Sequence, residues 1–211
     1  MTLRNELSFL LRGPITGLWN RIHHAGPVSC DPRRLKMRPL ETERLLLREF
    51  RQEDLGGIIC WEAELNPPEN DEIEAQKFLD FCFREYRESG IGPWGMWLKK
   101  TGLLVGNCGL PHISFKQGTG EVNYYVARQF RGQGLATEAL SALLGFGFGD
   151  IGLTRIQGRC APDNKRSERV MQKAGMKFER MIRSDAGSDD ASRAEQLFVI
   201  MHNRHNTKSW A

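Results

Sequence analysis

Apolar residues along this chain recur at two spacings, and the switches between them mark out its elements. Residues 40–50 alternate loosely around Leu45-Leu-Leu-Arg-Glu-Phe and predict a first strand. Gln52-Glu-Asp54 opens a helix with acids near its positive end, and Asn66-Pro67-Pro68 is a turn. A second helix starts at Asp71-Glu72, puts Ala75, Phe78, Leu79, Cys82 and Tyr86 on one face, and stops before Gly90. Residues 94–100, 103–115 and 120–127 read as three successive strands, joined at Thr101-Gly102 and at Lys116-Gln-Gly-Thr-Gly120. Such short connections predict an antiparallel meander. Further on, residues 155–161 predict a strand, 164–174 a helix, 176–183 a strand and 195–202 a last strand. Asp185-Ala-Gly-Ser-Asp-Asp-Ala-Ser192 is polar enough for an exposed loop.

One stretch organises the rest. Residues 121–127 are rich in Val and Tyr and read as a strand, while Ala136, Ala139, Leu140 and Leu143 fall at helical spacing. Arg131-Gly132-Gln133-Gly134-Leu135-Ala136 lies between them. A strand that turns directly into a helix leaves the first N–H groups of the helix unpaired, at the positive end of its dipole, which is a seat for phosphate. Gly132 and Gly134 let a diphosphate approach the backbone and carry no penalty at positive φ, and Arg131 adds a fixed charge. Gly147-Phe-Gly149-Asp-Ile-Gly152 also matches the dinucleotide fingerprint by letter, but it closes a helix and precedes a strand, the reverse of what that site needs, so its glycines are read as a helix stop.

With 211 residues and 40% hydrophobic content, the chain can bury one good core. Its expected organisation is an N-terminal accessory arm at 1–38, one domain at 39–203 and a loose tail at 204–211. In the arm, Leu3, Leu7, Leu10 and Leu11 are spaced to share one face of a short helix that Gly13-Pro14 would end. It is expected to pack on the domain or on a second copy, so a homodimer stays open; a transit peptide or surface-lying amphipathic helix is the alternative. A formal charge of +4, spread along the chain, does not imply nucleic-acid binding but suits a polyanionic co-substrate. Cys30, Cys60, Cys82, Cys108 and Cys160 are scattered and odd in number, as in a cytoplasmic protein with reduced core thiols. No apolar run reaches the roughly 18–20 residues of a membrane helix. His23-His24, His202 and His205 lack ligand spacing, so no metal is expected.

The spacing Arg131-x-x-Gly134-x-Ala136 resembles the (Gln/Arg)-x-x-Gly-x-(Gly/Ala) motif with which GNAT acetyltransferases cradle the diphosphate of coenzyme A. The resemblance extends over residues 40–202, to the branch of the ribosomal-protein alanine N-acetyltransferases RimJ and RimL. It is carried also by Glu41-Thr-Glu-Arg-Leu-Leu-Leu-Arg48, Gly106-Asn-Cys-Gly-Leu110, Gly120-Glu-Val-Asn-Tyr124, and Asn164-x-x-Ser167-x-x-Val170-Met171-x-Lys173-x-Gly175. It implies an α/β (α+β) GNAT fold: a mixed, mostly antiparallel sheet of six to seven strands flanked by about four helices, the two early helices walling the acceptor pocket.

It also implies acetyl-CoA as co-substrate. The diphosphate would lie on Arg131, Gly132, Gln133, Gly134, Leu135 and Ala136, and the pantetheine along the backbone of Tyr124, Tyr125 and Val126. In the family that strand bulges and splays from its neighbour, freeing an N–H for the thioester oxygen. Glu121 matches the branch's acidic position and is the candidate general base; a cross-strand ion pair is the plainer reading of the same residue. Asn123 stands where the branch usually has Gly. Asn164 is both an N-cap and a candidate bond to the pantetheine, and Ser167, a turn later, is the candidate donor to the departing sulfur, against the plainer reading of a helical serine bonded to its own backbone. Many GNAT enzymes use a tyrosine four residues further on as that acid, where this chain has Met171. Lys165, Arg166, Arg169 and Lys173 either meet the 3′-phosphate or form a solvated face. His112 is a candidate for the acceptor site, and Cys108 is a poor nucleophile, in mid-strand with no histidine near it in sequence.

The expectation is therefore acetyl transfer from acetyl-CoA to a primary amine by direct attack, the acceptor being a protein N-terminus or a small amine. An acetyl-CoA-sensing module of weak activity, or transfer of another acyl group, are the alternatives.

Overall fold

Leu45 and Leu47 are fully buried while Leu46 and Arg48 between and beside them are half-buried, the alternation of a strand with one face on the core. In this computed structural model, which describes residues 36–62, 71–183 and 194–202, the region read as one strand is in fact two. Strand β1 (Leu40–Glu41) folds back on β2 (Leu45–Arg48), with Leu40 opposite Leu47. The reversal is made by Thr42, whose N–H donates to the Leu45 carbonyl (2.9 Å) and whose hydroxyl accepts the Leu45 N–H (2.9 Å). Most of the expected arm, the turn at Asn66-Pro67-Pro68, the loop at 185–192 and the tail at 204–211 lie outside the described residues.

The meander continues antiparallel through β3 (Trp94–Leu98) and β4 (Leu104–Gly109), around a turn where Gly102 has φ +69°. β4 ends at Gly109, not at 115: Pro111 has no N–H for a ladder and His112 turns the chain with φ 56°. The strand expected at 120–127 is divided. Its first part, β5 (Thr119–Glu121), pairs in parallel with β7 (Arg155–Cys160), whereas its second part, β6 (Asn123–Val126), pairs antiparallel with β4. Two sheets result, of order β1-β2-β3-β4-β6 and β5-β7-β9-β8, the latter closed by β8 (Lys177–Arg183) and β9 (Ala194–Met201).

Helices cover both faces. A 3₁₀ turn at Gln52–Asp54 leads into α1 (Leu55–Glu62), which packs with α2 (Asp71–Glu88) on one face around Phe50, Ile58, Trp61, Phe78, Leu79 and Trp97. Phe50 meets Phe78 edge-on at 5.4 Å. Asp54 starts this layer by accepting the Arg51 N–H (2.7 Å) and a bidentate pair of bonds from Arg48 (2.9 Å each), whose guanidinium lies 3.6 Å over the Trp97 ring. On the other face, α3 (Leu135–Gly149) and α4 (Lys165–Lys173) pack on Leu45, Leu47, Met96, Cys108, Ile156 and Phe198. Each such side chain contributes about 1.5–3 kcal/mol of burial. Gly147 lets α3 close on β7, since a Cβ there would lie 2.6 Å from Ile156 Cδ1, and Gly152 (φ +78°) follows the helix end. The fingerprint-like glycines are thus used for packing and termination.

Candidate active site

The change of partner at Val122 makes the site. Glu121 donates its N–H to the Pro111 carbonyl (3.1 Å) and Ala127 donates its own to Val105 (2.9 Å), so alternate residues between them, Asn123 and Tyr125, also face β4. Val122, Tyr124 and Val126 consequently turn their backbone toward β7. Val122 donates to the Gln157 carbonyl (2.8 Å), but beyond it β6 and β7 have no pairing among the described residues. The Tyr124 N–H and C=O and the Val126 N–H therefore edge an open fork. The expected splay is present, and it arises from the switch of partners, because the β4–β6 register runs without a shift. Tyr125, also expected as a backbone contact, has its main chain paired with Asn107 of β4, and its ring packs near Trp61 (6.1 Å) and under Arg131 (5.4 Å).

Beyond the fork, the chain makes a 3₁₀ turn at Arg128–Phe130 and enters α3 through the glycine turn. Gly132 and Gly134 have φ +79° and +81°, and the first bond of α3 runs from the Glu138 N–H to the Gly134 carbonyl (3.1 Å). The N–H groups of Leu135, Ala136 and Thr137 have no carbonyl of their own helix to bond. A Cβ on Gly132 would meet nothing within 4 Å, so the space over it is open; one on Gly134 would point at Arg44 Nη2 (3.5 Å). Leu135 itself is buried and offers only its main chain, and the Gln133 side chain turns back to the Gln129 carbonyl (3.5 Å). Arg131 spends its Nε on the Val126 carbonyl (2.7 Å), tying the turn to the strand it follows.

The turn is held from the far side by residues that sequence reading missed. Arg44, between β1 and β2, donates to the Gln133 carbonyl (2.9 Å) and to Glu138 (2.7 Å), and Glu138 also accepts the Thr42 hydroxyl and the Arg44 N–H. Burial would raise the Glu138 carboxyl, but these bonds outweigh it and hold the group below its ordinary value. Partners 94 residues apart carry no local signal.

Glu121 sits at the crotch of the fork and is 7% exposed. Its carboxylate accepts from Gln157 Nε2 (3.1 Å) and pairs with Arg159 (3.0 Å), both on β7. Burial lifts its pKa above the ordinary value, which Arg159 and Gln157 reduce without cancelling. The ion pair of the plainer reading is present, and burial holds the carboxyl above the value of a solvated glutamate. Tyr124, one strand position off in parity, projects to the other face, where its hydroxyl lies 2.8 Å from Ser167 Oγ and 3.1 Å from the Ser167 carbonyl. Ser167 is in the first turn of α4, capped by Asn164, whose side-chain oxygen accepts the Ser167 N–H (3.1 Å).

A family model described as Acetyltransferase (GNAT) domain matches residues 44–177. The chain belongs to the GNAT acetyltransferase family. An uncharacterized N-acetyltransferase of Bacillus licheniformis, p20, is 28% identical over 155 residues, covering 70% of this chain and 86% of that one. Among solved structures, a ribosomal-protein-S5-alanine acetyltransferase from Vibrio fischeri superposes with TM-score 0.67 at 16% identity, covering 81% of this chain and 100% of that one. RimJ of Mycobacterium smegmatis, solved with CoA-disulfide, gives TM-score 0.64 at 22% identity, covering 78% and 86%.

In this GNAT chain the α1/α2 face of the fork carries polar capacity with no partner among the described residues. Asn107, 1% exposed, has an unbonded amide nitrogen, and both polar atoms of the Asn123 side chain are buried and unbonded. Each such group costs about 1–3 kcal/mol. Asn123 shares its face with Glu121, two positions away, at roughly 7 Å along the strand. On α4, Lys165 is paired with Glu168 (2.9 Å). Cys108 is fully buried and its thiol is driven well above the ordinary range by desolvation, which suits packing and not attack. His112 occupies the bend after β4.

Proposed function

We propose that this GNAT protein transfers an acetyl group from acetyl-CoA to a primary amine by direct attack in a ternary complex. What supports this above all is the fork at Val122, which presents Glu121 on one face, Tyr124 and Ser167 on the other, and leads straight into the turn at 131–136. The diphosphate would lie over Gly132 against the Leu135, Ala136 and Thr137 N–H groups, and the pantetheine would bond Tyr124 and Val126 in the gap. Acetyl-CoA supplies the activated acyl carbon. The Tyr124 N–H, aimed into the fork and nearer than Val126 to Glu121 and Ser167, would bind the thioester oxygen, where donors count most because charge develops there. Glu121 would take a proton from the incoming ammonium, directly or through a water, from the α1/α2 side.

Peptide N-termini come first as acceptors, because proteins of similar fold carry names for acetylating ribosomal proteins; the unpartnered amides of Asn107 and Asn123 suit a polar acceptor of this kind. A thiol-release assay with acetyl-CoA against Ala- and Ser-initiated peptides, amino acids, polyamines and aminoglycosides tests the reading. Release above the acceptor-free rate with any amine supports transfer. Tight acetyl-CoA binding with no release across the panel would replace it with a sensing role, and faster reaction with a longer thioester would replace the acetyl group.

A further inference from the structure

Met171 stands where many GNAT enzymes carry a tyrosine as acid, one helical turn after Ser167; it is 1% exposed, packed in the core beside Gly158, and its thioether has no proton. The hydroxyl groups on that side of the fork come instead from two elements 43 residues apart, Tyr124 on β6 and Ser167 on α4. A hydroxyl has one proton to give. The single Tyr124 proton has two acceptors: on the Ser167 carbonyl at 3.1 Å it leaves Ser167 Oγ–H to donate to Tyr124, whereas on Ser167 Oγ, at the shorter 2.8 Å, it releases the Ser167 proton to point elsewhere, the arrangement a sulfur needing a donor would select. Asn164 fixes the serine's backbone in the helix cap, and the Tyr124 contact fixes where its Oγ lies.

Resting on the transferase reading, we propose that Tyr124 is a positioning residue: it orients Ser167 so that Ser167 Oγ–H donates a hydrogen bond to the sulfur as it leaves. The N–C bond forms as the C–S bond breaks, and the C–S electron pair goes to sulfur. The amine gives up two protons in all, one through Glu121 to solvent and one that ends on the departed thiolate. The Tyr124 hydroxyl is pushed up to about 12 by burial, so it stays protonated across the working range. A phenol that weak does not hand its proton outright to a thiolate whose conjugate acid has a pKa near about 8.5. Donation without transfer is the consistent role for the pair.

The test needs no acceptor. Coenzyme A itself is titrated in the binary complex with the full chain, following the ultraviolet band of the thiolate against pH, with calorimetry to confirm binding. In the wild type the bound thiol should titrate below free coenzyme A. Tyr124→Phe should raise the bound value by about one unit, a tenfold loss in thiolate formation. Ser167→Ala should raise it at least as far, and the double variant no further than Ser167→Ala alone, because Tyr124 acts through the serine. Equal bound-thiol values in wild type, Tyr124→Phe and Ser167→Ala would overturn the proposal while leaving the transferase reading intact, and additive shifts in the double variant would overturn the relay between them. Failure of the wild type to bind coenzyme A would overturn the transferase reading first.

Discussion

Alanine at Gly132 separates the ligand cradle from ordinary backbone strain, because the fold offers a matched control. Gly132 (φ +79°) and Gly102 (φ +69°) are both left-handed, and a Cβ at either would meet nothing within 4 Å. Alanine in that conformation costs roughly 1–2 kcal/mol. At about 2–4 °C per kcal/mol for a domain of this size, either substitution should lower Tm by about 2–8 °C. Only Gly132 borders the N–H groups at the start of α3, so only there does the new methyl enter the space assigned to the diphosphate. Loss of one hydrogen bond to a charged group, roughly 1.5–3 kcal/mol, corresponds to a roughly ten- to 150-fold weaker Kd. Thermal unfolding and calorimetric titration with coenzyme A, run on both variants, measure the two effects separately. Equal Tm losses with wild-type coenzyme A affinity in Gly132→Ala would refute the placement of the diphosphate.

Glu121→Gln should reduce turnover by about 10²–10⁴-fold while leaving coenzyme A affinity within a factor of two or so, and should remove the acidic limb of the rate–pH profile. Because the fold raises the Glu121 pKa, the stability tied to its protonated form is complete below the ordinary value of 4.5 and is lost as pH rises through the folded value. The glutamine variant should therefore melt no lower than wild type at pH 7–8, with the gap closing toward pH 4; a lower Tm at neutral pH would mean that the Arg159 pair outweighs desolvation. Glu138 has the opposite sign, its contribution being present at neutral pH and lost as pH falls through its lowered value. Glu138→Gln should cost about 1 kcal/mol, given a partly exposed but multiply bonded pair, and should weaken coenzyme A binding a few-fold by loosening the turn; unchanged affinity would detach the Arg44 clamp from the site. Asn123→Ala removes an amide that has no partner among the described residues, so Tm should hold or rise by about 2–4 °C while the KM for the acceptor increases. A clear fall in Tm would show that the amide is satisfied in solution.

The helices were legible because their signals are local. In α2, Ala75, Phe78, Leu79 and Cys82 are buried at the spacing the sequence displays, and Asn164 caps α4 as its position before the helix suggests. Strand limits were less legible. Residues 40–50 alternate well enough for one strand, yet Thr42 reverses the chain by bonding Leu45, a tight turn that the alternation itself does not display. Tyr125 and Tyr124 look equivalent as letters, and only the ladder with β4 settles which of them turns its backbone to the fork.

The glycine turn, by contrast, is written in six consecutive residues: Gly132 and Gly134 permit the positive φ found there, and unpaired N–H groups at a helix start follow from helix bonding, so the sequence by itself marked the turn even though Arg44 and Glu138 brace it. The division at Val122 was decided by the tertiary structure, since a strand's hydrogen bonds say nothing about its partner until the partner arrives. Gln157 lies 36 residues from Glu121, and Ser167 lies 43 from Tyr124. Those distances are closed only when β7 and α4 pack, and it is their packing that opens the fork and faces a carboxylate on one side with a pair of hydroxyls on the other.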